Sequence, residues 1–75
     1  RVNCVAPALT DTPLAKAFLS TDAKRKAMSE KYPMGRVGTT GDIAAITEFL
    51  LSPDSGWITG QTLGVDGGMS GIVRV

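Results

Sequence analysis

The sequence predicts a protein of the α/β class in which two short strands lie parallel. Small and β-branched residues form two segments that are typical of strands, over residues 2–6 and 62–65. Helix signals fill the interval between them, and a connection of this length is typical of a right-handed crossover between parallel neighbours. A parallel sheet needs more than two strands and helices on both faces. We therefore expect the rest of the sheet to come from elsewhere.

The first predicted strand ends at Pro7, because proline has no N–H to donate to a ladder. Cys4 lies inside this strand, where we expect it to be a small buried side chain. Thr12 is a predicted N-cap followed by proline at the first helical position, so a short helix should cover residues 13–19. A second helix is predicted over residues 20–31, with a thin apolar stripe and a charged outer side.

The helix predicted over residues 40–51 has the clearest signals. Thr39 is its N-cap, and Asp42 stands at the position that completes a capping box. Its apolar face, with one threonine, is formed by Ile43, Ile46, Thr47, Leu50 and Leu51. The second strand, the turn over residues 66–68 and a tail over residues 69–75 complete the chain.

Composition excludes several kinds of site. The chain has one cysteine and no histidine. It can therefore form neither an internal disulfide nor a Ser-His-Asp or Cys-His nucleophilic system, and it has no metal site. A net charge of +1 gives no electrostatic reason to expect nucleic acid or a membrane surface. No apolar run approaches the roughly 20 residues of a membrane span. An unpaired cysteine suits a reducing compartment, so we expect a cytoplasmic protein.

The size of the chain predicts that it depends on a partner. Chains as short as 75 residues bury too little surface to be stable without disulfides, metals or another chain. The first two are excluded by composition. The sequence also opens on Arg-Val-Asn without an initiator methionine, so we expect a piece of a longer protein.

Four motifs, in order and at matching spacing, resemble the short-chain dehydrogenase/reductase family. Residues 3–12 resemble the segment after the sixth strand of that family, which reads Asn, three residues, Pro-Gly, and Thr four further on. Gly-Arg-Val-Gly at 35–38 and Asp-Ile-Ala at 42–44 resemble a second family motif. The C-terminal pattern is matched by Phe-Leu-Leu-Ser at 49–52, Ile-Thr-Gly-Gln at 58–61 and Val-Asp-Gly-Gly at 65–68. The resemblance covers nearly the whole chain.

The resemblance implies a doubly wound, Rossmann-like NAD(P)-binding fold, of which residues 1–75 would be the last third. This part has the order strand, three helices, strand. Residues 7–34 would hold the cofactor and substrate loop and the lid helices. Four residues would bind NAD or NADP: Pro7 and Ala8 beside the nicotinamide, the Thr10 backbone on the carboxamide, and the Thr12 hydroxyl on the carboxamide or pyrophosphate. The side chains expected to face the substrate are Leu14, Phe18 and Met28.

The same resemblance puts the catalytic residues outside this chain. The family's glycine-rich phosphate loop, its catalytic Ser and its Tyr-x-x-x-Lys pair lie upstream. Tyr32, the only tyrosine, is followed four residues later by Arg36 rather than Lys. The chain alone should therefore have no catalytic residue, bind NAD(P) poorly and transfer no hydride. Ala8 stands where the family usually has Gly, which would matter if that position needed a positive φ.

Three interpretations follow. The first is part of an NAD(P)-dependent oxidoreductase that acts on a small alcohol or ketone and assembles as a homo-oligomer with the remainder of its fold. The second is a non-catalytic oligomerisation module derived from that family, because helix 40–51 and strand 62–65 could self-associate. The third is a basic binding module, for which the only sign is the Lys-Arg-Lys cluster at 24–26.

Overall fold

The computed structural model describes residues 1–71 and contains a two-stranded parallel sheet. Strand β1 spans Cys4–Pro7 and strand β2 spans Thr62–Val65. The register runs from Cys4 opposite Thr62 to Pro7 opposite Val65. The parallel orientation and the bounds of β2 predicted from the sequence are confirmed.

Strand β1 begins later than predicted, because the segment opposite its start turns away. Gly60 has φ +71°, and its N–H donates to the Val2 carbonyl at 2.7 Å. The Asn3 side chain accepts a hydrogen bond from the Gln61 N–H at 3.0 Å. Val2 and Asn3 therefore brace the entry to β2 instead of extending the ladder.

Pro7 is the last residue of β1 and leaves the ladder intact. The N–H groups of Cys4 and Ala8 donate across to the carbonyls of Gln61 and Val65, at 2.8 and 3.3 Å. Alternate residues of a strand point their N–H groups to opposite edges. The nitrogen of Pro7 therefore faces the open edge of the sheet, where its missing proton removes no bond to β2.

The helical segments between the strands agree with the prediction in position and differ in detail. They are a 3-10 helix at Pro13–Phe18, helix α1 at Asp22–Ser29, helix α2 at Thr40–Leu51 and a 3-10 turn at Pro53–Ser55. Helix α1 ends before residue 31, because the Lys31 N–H donates to the Met28 carbonyl at 3.2 Å and tightens the last turn.

The capping box predicted at the start of α2 is present, and the predicted bounds of this helix are confirmed. The Thr39 hydroxyl accepts from the Asp42 N–H at 3.2 Å, and an Asp42 carboxylate oxygen accepts from the Thr39 N–H at 2.7 Å. Two backbone donors at the helix start are thus satisfied reciprocally.

The apolar face of α2 is only partly buried. Ile43, Ile46 and Leu50 are half-buried, and α2 packs against β1. Thr47 and Leu51 are exposed, Leu51 by 81% of its surface. The predicted apolar face of α2 is wider than the part that is buried, because a sheet of two strands is too narrow to cover the whole face.

The core is small and lies beside the sheet. It consists of Ala15, Leu19, Tyr32 and Val37, with Ala8, Leu9 and Met28 packed against it. The accessible surface is 5509 Å², whereas size scaling predicts roughly 4,400 Å² for a compact protein of this mass. The most exposed large hydrophobic side chains are Val2, Leu14, Leu51 and Trp57. Residues 1–71 therefore leave much of their own apolar surface uncovered.

The expectation that Cys4 is buried is wrong for the described residues, where Cys4 is exposed. Val5, Leu63 and Val65 are half-buried on one side of the sheet, while Cys4 belongs to the alternate, uncovered side. Of the predicted tail, residues 69–71 continue a turn and residues 72–75 lie outside the described residues. Within residues 1–71 the helices are too short and too polar to span a membrane.

Candidate functional site

The segment that follows β1, residues 8–12, lies at the carboxyl edge of the sheet, and we call it the β1 loop. Its centre, Thr10, forms an isolated parallel bridge with Gly38, which precedes α2. In this bridge the Leu9 carbonyl accepts from the Gly38 N–H at 3.0 Å. The Asp11 N–H donates to the Gly38 carbonyl at 2.8 Å. The β1 loop bends at Leu9 and Thr12, and these two bonds hold its centre against Gly38 at the point where ligands bind in open α/β sheets.

The bonds that hold the β1 loop leave the Thr10 backbone unbonded. The Leu9 N–H donates to the phenol oxygen of Tyr32 at 3.2 Å, and Gly38 bonds to the Leu9 carbonyl and to the Asp11 N–H. In a planar trans peptide the C=O and the N–H point in opposite directions, and both the Leu9 carbonyl and the Asp11 N–H face Gly38. The N–H and C=O of Thr10 consequently face the other edge of the loop, away from Gly38. Within residues 1–71 neither group has a hydrogen-bond partner, so a donor and an acceptor stand side by side there.

The threonine side chains of the β1 loop are both engaged. The Thr10 hydroxyl donates to the Ala8 carbonyl at 3.0 Å. The Thr12 hydroxyl accepts from the Ala15 N–H at 3.3 Å and caps the 3-10 helix. Because a hydroxyl that accepts a bond keeps its own proton, Thr12 can still donate to a ligand. The predicted N-cap role is confirmed, and it is compatible with cofactor binding.

Three of the four residues predicted to bind a cofactor line one groove. Pro7, Thr10 and Thr12 form one wall of this groove, whose volume is about 830 Å³. The opposite wall is formed by α2 and includes Ile43, Thr47 and Leu51 of its apolar face. We call this groove the α2 groove. The polar groups of the β1 loop thus stand at the edge of an apolar channel.

Ala8 lies apart from the other three residues. It lines a second cleft of about 460 Å³, beside the turn that follows β2. Among the described residues only glycines have a positive φ, so Ala8 is unstrained. The alanine that replaces the family's usual glycine therefore carries no backbone penalty here.

The three side chains predicted to face a substrate are not brought together. Leu14 is 95% exposed and Phe18 is 57% exposed, both on the 3-10 helix. Met28, on α1, is half-buried against the core cluster instead of facing the α2 groove. A common substrate wall would require cover from further protein.

An ion pair fixes the segment that carries Gly38. The Arg36 guanidinium makes two hydrogen bonds to the Asp42 carboxylate, at 2.7 and 3.2 Å. These bonds, with those from the Thr39 backbone, hold the pKa of Asp42 well below its usual range. The carboxylate in turn raises the pKa of Arg36. Asp42 therefore links the start of α2 to the loop that bridges to Thr10.

The turn after β2 is closed by Asp66. Its carboxylate accepts from the Ser70 hydroxyl and from the Gly68 N–H, the latter at 3.0 Å. The bond from Ser70, followed by that from Gly68, lowers the pKa of Asp66. Residues 1–71 contain no group of three side chains that could hold a metal ion.

Sequence reasoning missed the two residues that hold the β1 loop from its far side. The sequence excludes Tyr32 from a Tyr-x-x-x-Lys pair and predicts no structural role for it, yet it is 6% exposed and bonds to Leu9. The motif at 35–38 predicts no contact between Gly38 and the β1 loop. A Cβ at Gly38 would lie 3.3 Å from the Thr10 hydroxyl, so the position favours glycine for close approach. A tyrosine next to a proline in an otherwise charged segment was the available signal.

Comparisons with known proteins assign the chain to a family. A family model described as enoyl-(acyl carrier protein) reductase matches residues 1–70. A tropinone reductase homolog of Arabidopsis thaliana is 46% identical over 70 residues, which are 93% of this chain and 26% of that protein. A short-chain dehydrogenase/reductase of the same plant is 48% identical over 69 residues, 92% of this chain and 27% of that protein.

Solved structures agree with the sequence comparison. The crystal structure of a gluconate 5-dehydrogenase from Burkholderia cenocepacia, in complex with NADP and tartrate, superposes with a TM-score of 0.83 at 33% identity. That match covers 97% of this chain and 29% of the other. The chain thus spans about a quarter of the length of the curated relatives it matches. Sequence and fold together establish that the chain belongs to the short-chain dehydrogenase/reductase family, whose members are NAD(P)-dependent oxidoreductases with a Rossmann-type α/β fold.

Proposed function

We propose that this chain is the C-terminal third of an NAD(P)-dependent oxidoreductase that transfers hydride between a nicotinamide and a small alcohol or ketone. Within that enzyme, this segment would contact the nicotinamide side of the cofactor, provide a substrate lid and make subunit contacts. The catalytic Ser and the Tyr-x-x-x-Lys pair would be supplied by the preceding part of the same polypeptide. By itself the chain would be inactive.

The observation that carries this proposal is the free edge of Thr10. A carboxamide has one C=O and one NH₂, and it can be bound by an N–H and a C=O that stand side by side. The N–H and C=O of Thr10 form such a pair at the carboxyl end of β1, and they lie next to the α2 groove. The residues therefore fit the cofactor that the family uses. When bound, NAD(P) supplies or accepts the hydride, and the β1 loop orients its nicotinamide end.

Thr12 and Pro7 complete this binding edge. The Thr12 hydroxyl keeps a proton that it can donate to a carboxamide or a phosphate oxygen. Pro7 offers a rigid apolar ring at the mouth of the α2 groove, against which an aromatic nicotinamide can pack.

The exposed apolar surface supports the dependence on further protein. Leu14, Leu51 and Trp57 are among the most exposed large side chains, at 95%, 81% and 100%. Surface of this kind is usually covered by a partner. We propose that the remainder of the fold covers the open edge of β1, that Leu14 and Phe18 then face the substrate, and that a homo-oligomer covers α2 and β2. The proposal includes a cytoplasmic location, which the unpaired Cys4 suits.

The proposal is tested on the natural protein that contains this segment. Peptides from residues 1–75 identify it in its source cells, and its mass is measured on the intact species. We expect a protein of about 25–30 kDa, the size of a complete doubly wound domain. It should bind NADP or NAD and oxidise or reduce small alcohols or ketones. The isolated 75-residue chain, measured beside it, should bind either cofactor poorly and transfer no hydride.

A second candidate function is favoured by the same exposed surface. A natural species of 7.8 kDa that self-associates without binding a cofactor would reject the oxidoreductase proposal. It would instead support a non-catalytic oligomerisation module. Sedimentation velocity distinguishes the two, because the module would sediment as a defined oligomer of the short chain.

A further inference from the structure

We propose that Tyr32 is a positioning residue for cofactor binding, which acts by fixing the β1 loop so that the Thr10 amide groups face the cofactor. Its phenol oxygen accepts a hydrogen bond from the Leu9 N–H at 3.2 Å. The side chain is 6% exposed and belongs to the core cluster. This inference rests on the proposed function, and it gives Tyr32 a positioning role rather than a catalytic one.

The direction of the Thr10 amide groups depends on which neighbouring polar groups of the β1 loop are already bonded. The Tyr32 phenol oxygen accepts from the Leu9 N–H. The Gly38 N–H donates to the Leu9 carbonyl, and the Gly38 carbonyl accepts from the Asp11 N–H. Three polar groups of the loop are thereby satisfied, and the loop cannot rotate about its axis without breaking these bonds. The N–H and C=O of Thr10 are consequently held on the opposite edge. Tyr32 thus sets the direction of groups that it does not touch.

Tyr32 is itself anchored to the turn that follows β2. A Cβ built at Gly67 would lie 3.4 Å from the Tyr32 Cβ, so the turn packs closely against the side chain. The adjacent Met34 N–H donates to the Gly67 carbonyl at 3.1 Å, and the Gly35 N–H donates to the Tyr32 carbonyl at 2.8 Å. Tyr32 therefore joins the segments that follow the two parallel strands, and its phenol oxygen is placed by the sheet itself.

The position of Tyr32 between α1 and the loop before α2 adds a second consequence. Helix α1 ends at Ser29, and Tyr32 follows it within one turn. The residue that orients the β1 loop therefore lies at the end of the proposed substrate lid. The Tyr32 backbone N–H donates to the Ser29 carbonyl at 3.2 Å, whereas its phenol bonds to the β1 loop.

The test uses the complete natural protein and the variant Tyr32→Phe, which keeps the ring and removes the hydroxyl. Ser55→Ala is the matched control, because it removes a buried hydroxyl that donates to the Leu50 carbonyl at 3.0 Å, away from the β1 loop and from α1. Cofactor affinity is measured by NADPH fluorescence titration, and KM and kcat by steady-state kinetics. Folding is followed by thermal denaturation of each variant.

We expect Tyr32→Phe to weaken NADPH binding about fivefold, the factor that corresponds to the net contribution of one hydrogen bond. KM for the cofactor should rise by the same factor while kcat stays within about twofold, because the folded enzyme remains intact. A role in stability alone would reduce the active fraction, and hence kcat, without changing KM. Ser55→Ala should leave both constants unchanged.

Two results would overturn the inference in distinguishable ways. Wild-type protein that binds NADPH, together with a Tyr32→Phe variant that binds it equally well, rejects the role of Tyr32 and leaves the proposed function standing. Wild-type protein that binds neither NADPH nor NADH rejects both.

If Tyr32→Phe does not fold, amide hydrogen exchange on the wild-type protein tests the same assignment of bonded and unbonded backbone groups. Without cofactor the Leu9 amide should exchange slowly and the Thr10 amide quickly. Addition of NADP should then protect Thr10. A Thr10 amide already protected without cofactor would contradict the assignment of edges.

Discussion

Replacement of Thr12 separates the observed helix cap from the proposed cofactor contact, which depend on the same hydroxyl. Its oxygen accepts from the Ala15 N–H at 3.3 Å and caps the 3-10 helix, while its proton remains available for the proposed contact at the α2 groove. Alanine at this position removes both functions. Aspartate keeps the cap acceptor, but its carboxylate has no proton to donate and is repelled by phosphate. The pair Thr12→Ala and Thr12→Asp therefore distinguishes the cap from the cofactor contact.

The expected magnitudes follow from these two bonds. Loss of an N-cap acceptor costs about 1 kcal/mol, so Thr12→Ala should lower the free energy of unfolding by about that amount. In a complete domain of this family the melting temperature should fall by about 2–4 °C. Loss of the cofactor bond should weaken NADP binding about fivefold. Thr12→Asp should leave the free energy of unfolding within about 0.5 kcal/mol of wild type, because aspartate caps as well as threonine. It should weaken NADP binding at least as much as alanine does.

The assays are denaturant unfolding and NADP titration of the natural protein and both variants. Thr12→Ser serves as the control, because it keeps the hydroxyl and should change neither quantity by more than about 0.5 kcal/mol. If Thr12→Asp binds NADP like wild type, the hydroxyl does not contact the cofactor and the proposed role is refuted. If Thr12→Ala is as stable as wild type, the cap contributes nothing.

Two further predictions concern the backbone and the charges. Gly41→Ala should stabilise the protein by about 0.5–1 kcal/mol, because Gly41 lies in the first turn of α2 and a Cβ there meets only the Thr39 hydroxyl at 3.6 Å. Gly35→Ala should instead destabilise it by about 1 kcal/mol, because Gly35 has φ +77° in open space; equal melting temperatures for these variants would contradict the reasoning. The lowered pKa of Asp42 means that the folded protein binds fewer protons than the unfolded chain, so stability should be full above the ordinary carboxyl pKa of 3.8 and fall as the pH drops below it. Asp42→Asn should make the acid unfolding curve shallower, and circular dichroism between pH 2 and 6 measures this; identical curves would show that the pair with Arg36 does not contribute.

The parts of the fold that depend on neighbouring residues were predictable from the sequence. Helix α2 and its capping box follow from Thr39 and Asp42, which lie within one turn of each other. Thr12 as an N-cap before Pro13 is equally local. The parallel pairing of β1 and β2 followed from the length of the crossover, since a long connection permits that orientation.

The features that the sequence did not predict correctly depend on contacts between distant segments. The bond between Leu9 and Tyr32 joins residues 23 positions apart, and no periodicity in the sequence reports it. The exposure of Cys4 and Leu51 depends on how much protein covers the sheet, which the chain's own pattern does not specify. The start of β1 was misplaced because the partner strand ends its ladder at a glycine with positive φ.

The β1 loop and helix α1 are held by different parts of the molecule. The loop is fixed by Tyr32 and Gly38, whereas α1 has no buried residue of its own and reaches the loop through the Arg25–Asp11 pair at 3.1 Å, half-exposed at both ends. Such an exposed pair contributes little to stability. Substitutions along α1 can therefore accumulate without moving the Thr10 edge. In the proposed oxidoreductase, evolution or engineering can therefore change the substrate lid while the geometry of the Thr10 edge stays constant.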